Sequence, residues 1–137
     1  MATNPLVEAV ERVGDRWTLL IVDALMAGPR RFNELAADVE GIAPNILSAR
    51  LRHLESERIV VSRPYTRKPV RMAYELTGLG RDLAGALRLL AHWAAGDSTE
   101  GEAPRHSECG TAMEARWYCP TCSRVVDERE PAELRYV

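Results

Sequence analysis

Two pairs of side chains near the C-terminus have the spacing of chelators. His106 and Cys109 are separated by two residues, as are Cys119 and Cys122. Two ligands on such a knuckle reach one ion from neighbouring corners. Two knuckles together supply three thiolates and one imidazole, a tetrahedral donor set that suits a structural Zn2+. Gly110 and Pro120 favour tight knuckle turns. Between the pairs, Met113, Ala115 and Trp117 alternate with Glu114 and Arg116, as in the hairpin of a zinc ribbon. An acidic segment of roughly thirty residues has little apolar core of its own, so bound metal would supply its folding energy. A closed four-ligand site leaves no open position, so hydrolytic chemistry is not expected there. Metal-bound thiolates can still be oxidised, which leaves a sensor role open beside the structural one. Two other readings stand: a Cys119-x2-Cys122 redox pair with a spare thiol, or His106 and Cys109 as incidental residues.

A second constellation lies in the middle of the chain and is basic. From Arg30 to Arg71 nine Arg and Lys face five Asp and Glu, whereas from Asp97 onward nine acids face five Arg. The formal net charge of −2 therefore hides a positive centre and a negative tail. Asn45, Ser48, Ala49, Arg52 and His53 share the polar side of one helical repeat, with Arg50 nearer its flank. Such side chains reach base edges or phosphates in a major groove. The run Arg63-Pro-Tyr-Thr-Arg67-Lys68-Pro-Val-Arg71 places charge on a proline-stiffened loop suited to phosphate contact. Arg30 and Arg31 add two more cations just upstream.

The elements that must carry these groups follow from periodicity. Leu6, Val7, Val10 and Val13 predict a helix over Pro5–Val13. Asp15 is placed to cap the next helix, whose stripe is Trp17, Leu20, Ile21, Ala24 and Leu25 and whose end is Gly28-Pro29. Asn33 is expected to cap a short brace helix that buries Leu35, Ala36 and Val39 and ends at Gly41. Pro44 opens a helix to Glu57 that turns Leu47, Leu51 and Leu54 inward. Ile59-Val60-Val61 reads as a strand, Pro64–Pro69 as a connection, and Val70–Leu76 as a half-buried strand closing a hairpin. Thr77 caps a long last helix lined by Leu79, Leu83, Leu87, Leu90 and Ala94, and Gly96 closes it. Trp17 and Trp93 are expected to anchor the core. Two short helices, a tight turn and a basic hairpin in this order describe a winged helix-turn-helix.

Other classes are excluded by what is missing. No apolar run approaches the ~20 residues needed to span a bilayer, and the N-terminus lacks the basic and apolar regions of a secretory signal. A cytoplasmic location is therefore expected, and in that reducing compartment the three cysteines are expected as thiolates, metal ligands or buried thiols rather than disulfides. Gly-rich phosphate loops, paired carboxylates and nucleophile elbows are absent. Ser48 and His53 are poorly aligned for a catalytic triad. The chain is not expected to be an enzyme.

Several motifs resemble the HxlR-type winged-helix regulators, relatives of the MarR class, over roughly residues 4–95 (137 residues in the chain). They are Gly-Asp-Arg-Trp-Thr at 14–18, Gly-Pro-Arg-Arg-Phe at 28–32, Ile-Ala-Pro-Asn-Ile-Leu-Ser-Ala-Arg-Leu at 42–51 and Tyr-Glu-Leu-Thr-Gly-Leu-Gly at 74–80. The resemblance implies a dimeric transcription factor on inverted half-sites, with the terminal helices forming the dimer and the Pro44 helix reading DNA. Many members carry an oxidant-sensing cysteine near the start of the first helix. Here that stretch is Asn4-Pro5-Leu6-Val7-Glu8, without a thiol. The serine usual before the reader helix is Ala43.

The sequence thus describes a mainly α chain with a small β-hairpin. Residues 1–96 form a winged helix-turn-helix, 97–104 a linker, and 105–137 a zinc-ribbon-like module with an acidic tail. The expected partners are double-stranded DNA and a second copy, joined through the N-terminal helix and the Leu83, Leu87 and Leu90 helix. No membrane is expected, and a small-molecule effector is left open but unidentified. The expected function is a sequence-specific regulator acting as a repressor. The alternative is a protein-interaction adaptor that uses the winged helix as scaffold and the zinc module as clamp.

Overall fold

Side-chain caps set the first two helices. In the computed structural model, which describes residues 4–96 and 104–127, α1 spans Pro5–Val13 and begins where Asn4 Oδ1 accepts from the Leu6 N–H at 2.9 Å. Helix α2, Arg16–Leu25, begins where Asp15 Oδ1 accepts from the Thr18 N–H at 3.1 Å, while the fully buried Thr18 hydroxyl donates to Asp15 Oδ2. These bonds satisfy donors that a helix start leaves orphaned.

A two-residue strand β1, Arg30–Arg31, leads into α3, Phe32–Asp38. The expected cap at Asn33 is not the one used. Arg31 holds the N-cap position, and the Glu34 carboxylate accepts from the Arg31 N–H at 2.7 Å. Arg31 is kept extended by its place in the sheet, so the helix starts directly behind the strand. After Gly41, with φ at +82°, α4 runs from Pro44 to Ser56 without a side-chain cap at Ala43. Packing holds it instead: Leu47, Leu51 and Leu54 are each at most 1% exposed.

Strands β2, Val60–Arg67, and β3, Val70–Leu76, pair antiparallel, and β1 adds to the other side of β3, giving the order β1-β3-β2. The expected connection Pro64–Pro69 is therefore mostly strand, and only Lys68 and Pro69 turn the chain. Pro64 is tolerated because β2 is an edge strand, and the register slips between Pro64 and Thr66, leaving Tyr65 as a bulge. Thr66 Oγ1 donates to the Pro69 carbonyl at 2.6 Å and braces the tip.

Thr77 caps α5, Gly78–Ala95, as expected: its Oγ1 accepts from the Gly80 N–H at 3.1 Å. A Cβ at Gly80 would stand 2.2 Å from the Ile59 carbonyl oxygen, so only glycine lets this helix approach the start of the sheet so closely. The core joins Ile21, Val22, Leu25, Leu35, Val39, Leu47, Leu51, Leu54, Ile59, Val60 and Leu76, with Trp17, Leu83 and Leu87 packed on its margin. Trp93 is not a core anchor, being 77% exposed. It lies beyond the last turn of α5 that packs on this core.

The chain divides into two compact units, Met1–Arg88 and Leu89–Val137. In the second, β4 (Trp117–Cys119) pairs antiparallel with β5 (Arg124–Val126), and Arg105 bridges Ala112. The alternating stretch Met113–Arg116 is not itself a strand. The hairpin forms around the second cysteine pair instead. The expected linker falls largely outside the described residues, as does the end of the acidic tail.

Candidate nucleic-acid interface

Burying Leu47, Leu51 and Leu54 on one side of α4 fixes what the other side presents. Asn45, Ala49 and Arg52 are exposed on it, with Ser48 half-buried at its margin. Arg52 enters no ion pair among the described residues. The exposed stripe combines an amide, a small residue and a guanidinium, chemistry able to pair with adenine or guanine edges.

The two other polar residues expected on this helix turn elsewhere. Arg50 Nε lies 3.3 Å from Asp15 Oδ1. That nitrogen is buried and makes no hydrogen bond, so the contact is an ion pair without hydrogen-bond geometry. It ties α4 to the cap of α2. Burial acts to raise the Asp15 pKa, but the Thr18 hydroxyl and N–H, then Arg50, hold the carboxyl below its ordinary value. His53 Nε2 lies 2.6 Å from the Arg12 carbonyl oxygen. Beside it, Arg12 Nε donates to Glu57 Oε2 at 2.5 Å. His53 and Glu57 thus fasten the end of α4 to the end of α1, and His53 is spent on that contact rather than on the exposed stripe.

The wing carries a second set of cations. Arg67, Lys68 and Arg71 are exposed around its tip and enter no ion pair among the described residues. Arg63 pairs with Glu75 across the hairpin. A surface ion pair of this kind contributes only about 0–1 kcal/mol. At the entry to the brace helix, Arg30 Nε donates to Asp38 Oδ2 at 3.1 Å and Nη1 to the Pro29 carbonyl at 3.1 Å.

Arg31 shows how the pieces are joined. Its guanidinium carbon lies 4.3 Å from the centroid of the Tyr65 ring, a cation–π contact. Because β1 pairs with β3 while Tyr65 bulges from β2, the contact crosses the sheet and brings Arg31 to the wing. Sequence reasoning did not single out Tyr65. Its signal was an aromatic between Pro64 and the basic tip, but only the bulge turns it toward Arg31.

The sequence-expected metal ligands are brought together in pairs. Cys109 Sγ lies 3.4 Å from His106 Nδ1 and 3.2 Å from Thr111 Oγ1. Hydrogen bonds from Thr111 lower the Cys109 pKa, and those from Cys122 lower that of Cys119. Among the described residues, no three or more His, Cys, Asp or Glu side chains gather in one group able to hold an ion.

A brace helix, an outward-turned polar helix and a cationic hairpin on one core define a winged helix-turn-helix DNA-binding protein. A family model described as HxlR-like helix-turn-helix matches residues 12–101, and the chain belongs to that family. An uncharacterized HTH-type transcriptional regulator of Mycobacterium tuberculosis, Rv3095, is 38% identical over 125 residues, covering 88% of this chain and 78% of that protein. The HTH-type transcriptional regulator YodB of Bacillus subtilis is 35% identical over 86 residues, covering 63% of this chain and 77% of YodB. The solved reduced form of YodB superposes with a TM-score of 0.62 at 32% identity, covering 74% of this chain and 99% of YodB. The reduced form of the redox regulator HypR gives 0.63 at 27% identity, covering 69% and 95%. The chain is a DNA-binding transcriptional regulator. Among the described residues, no helix is long and apolar enough to cross a membrane.

Proposed function

We propose that the chain is a homodimeric repressor that reads an inverted-repeat operator with α4 in the major groove and the β2–β3 wing on the flanking backbone. The observation that carries this reading is the sidedness of α4: three leucines are sealed inward while Asn45, Ala49 and Arg52 stand exposed. Arg52 and Asn45 are assigned to base edges and Ser48 to the groove margin. Arg31, Arg63, Arg67, Lys68 and Arg71 are assigned to phosphates.

The dimer is proposed to form through α1 and α5. Leu6, Val7 and Val10 on α1 are exposed, as are Leu79, Leu89 and Leu90 on α5. Leu83 and Leu87 pack partly on their own core, so the seam rests more on Leu90 than on those two. Symmetric pairing sets two reader helices about 34 Å apart, one DNA turn. Repression by occupying a promoter needs no contact beyond those with DNA, and that work is cytoplasmic.

Selection of bound fragments from a random DNA pool tests the proposal. The expected product is an inverted repeat with half-sites centred about one turn apart. Arg52→Ala should cost about 1–3 kcal/mol of discrimination at one position of each half-site. Lys68→Ala should weaken all sequences alike and reduce the salt slope by about 0.9. Equal affinity for selected and random DNA at moderate salt would overturn the reading.

A further inference from the structure

The two chelating pairs share one backbone design. In the first, Gly110 follows Cys109 with φ at +70°, and in the second Ser123 follows Cys122 with φ at +53°. Left-handed backbone is rare outside glycine, so its recurrence at the same offset, once on a serine, marks a repeated turn. The strand register repeats as well. The His106 N–H donates to the Thr111 carbonyl at 2.9 Å, and Cys119 pairs with Arg124 across the β4–β5 hairpin. In each knuckle the first candidate ligand faces the residue five places on. The second ligand and the left-handed residue sit in the turn between.

The first pair already has the spacing of two ligands on one ion. Tetrahedral Zn2+ with ordinary Zn–N and Zn–S bonds separates a ring nitrogen from a sulfur by about 3.6 Å. His106 Nδ1 and Cys109 Sγ are 3.4 Å apart.

The segment has little else to hold it. Among residues 104–127 no side chain is buried, and only Cys119 and Val126 are half-buried. Met113, Trp117, Tyr118 and Val125 are all exposed. Two three-residue strands and one bridge are too little for independent stability without a cross-link.

We propose that His106 Nδ1, Cys109, Cys119 and Cys122 close on a single Zn2+ that holds this segment as a zinc ribbon. The two pairs stand apart as groups of two, so binding draws one knuckle onto the other. Three sulfurs and an imidazole select Zn2+ over hard cations such as Mg2+ or Ca2+.

The test uses the full chain without a histidine tag. Elemental analysis should find one zinc per chain. Replacement by Co2+ should give the visible bands of tetrahedral cobalt, with a thiolate-to-cobalt charge-transfer band sized for three sulfurs. Cys109→Ser and Cys119→Ser should each shrink that band. Each should also weaken zinc binding by more than the roughly 10–100-fold that losing an outer-shell partner costs. His106→Cys should keep the metal and enlarge the band. Far-ultraviolet helicity should persist in all three variants, which separates ligand loss from global unfolding. Absence of tetrahedral cobalt, one metal shared by two chains, or a spectrum unchanged by Cys109→Ser would each overturn the proposal. None of these outcomes bears on DNA reading, which the operator selection tests separately.

Discussion

The winged-helix unit and the C-terminal hairpin segment differ in what holds them. In the first, side chains from α1, α2, α3, α4, α5 and the sheet meet in one apolar cluster, and six of them are under 2% exposed. In the second, strands of three residues leave Trp117 and Tyr118 more than half exposed. One region has surplus apolar contact and can use its outer residues for recognition. The other has almost none, and the residues most able to bind it together are those with ligand chemistry. Burial of apolar surface grows with the size of the folding unit, which is why short segments depend on cross-links.

Substitutions at three positions probe that contrast. The largest effect is expected for Leu54→Ala, which removes a fully buried side chain where α4 meets the core. Loss of about 2–5 kcal/mol should appear in denaturant unfolding followed by helicity. Unchanged stability would mean the core is looser than its burial indicates.

A smaller loss is expected at the α2 cap. Asp15→Ala should cost about 0.5–2 kcal/mol. The depressed Asp15 pKa gives this contribution a pH signature. It is fully present above the carboxyl's unfolded value and is lost as pH falls through the lower folded value. Acid titration of stability should therefore be shallower in Asp15→Asn than in the parent chain. Parallel titration curves would remove Asp15 from the account.

The smallest effect is expected at Trp117→Ala. An exposed aromatic on a segment without a core should change global stability by no more than about 0.5 kcal/mol. A drop comparable to that of Leu54→Ala would show an apolar core in the C-terminal segment and erase the contrast.

The same contrast decides how much the sequence could say. The bounds of α1, the Asp15 and Thr77 caps, the Pro44 start and the inward leucines of α4 were legible because they are local: a period of 3.6 and a cap residue suffice. Strand β1 was not legible, since two arginines form a strand only where β3 offers them a partner. With β1 unseen, the cap of α3 was misplaced at Asn33 instead of Arg31. The span of β2 was underestimated because proline normally breaks strands, and only its edge position lets Pro64 stay. At the interface, the exposed stripe followed from periodicity, whereas the internal contacts of His53 and Arg50 depend on α1 and on the α2 cap, which a helical wheel of α4 does not contain. The two-residue spacing within each His/Cys pair was legible, but the paired left-handed turns were only half so: Gly110 announces one, and Ser123 does not.

The anchor between His53 and the Arg12 carbonyl has a consequence for how the molecule tolerates change. The acceptor is main chain, present whatever side chain occupies position 12, so drift there can abolish the Glu57 ion pair without releasing the imidazole. The orientation of α4 relative to α1 is thus secured by the one partner in that cluster that mutation cannot delete.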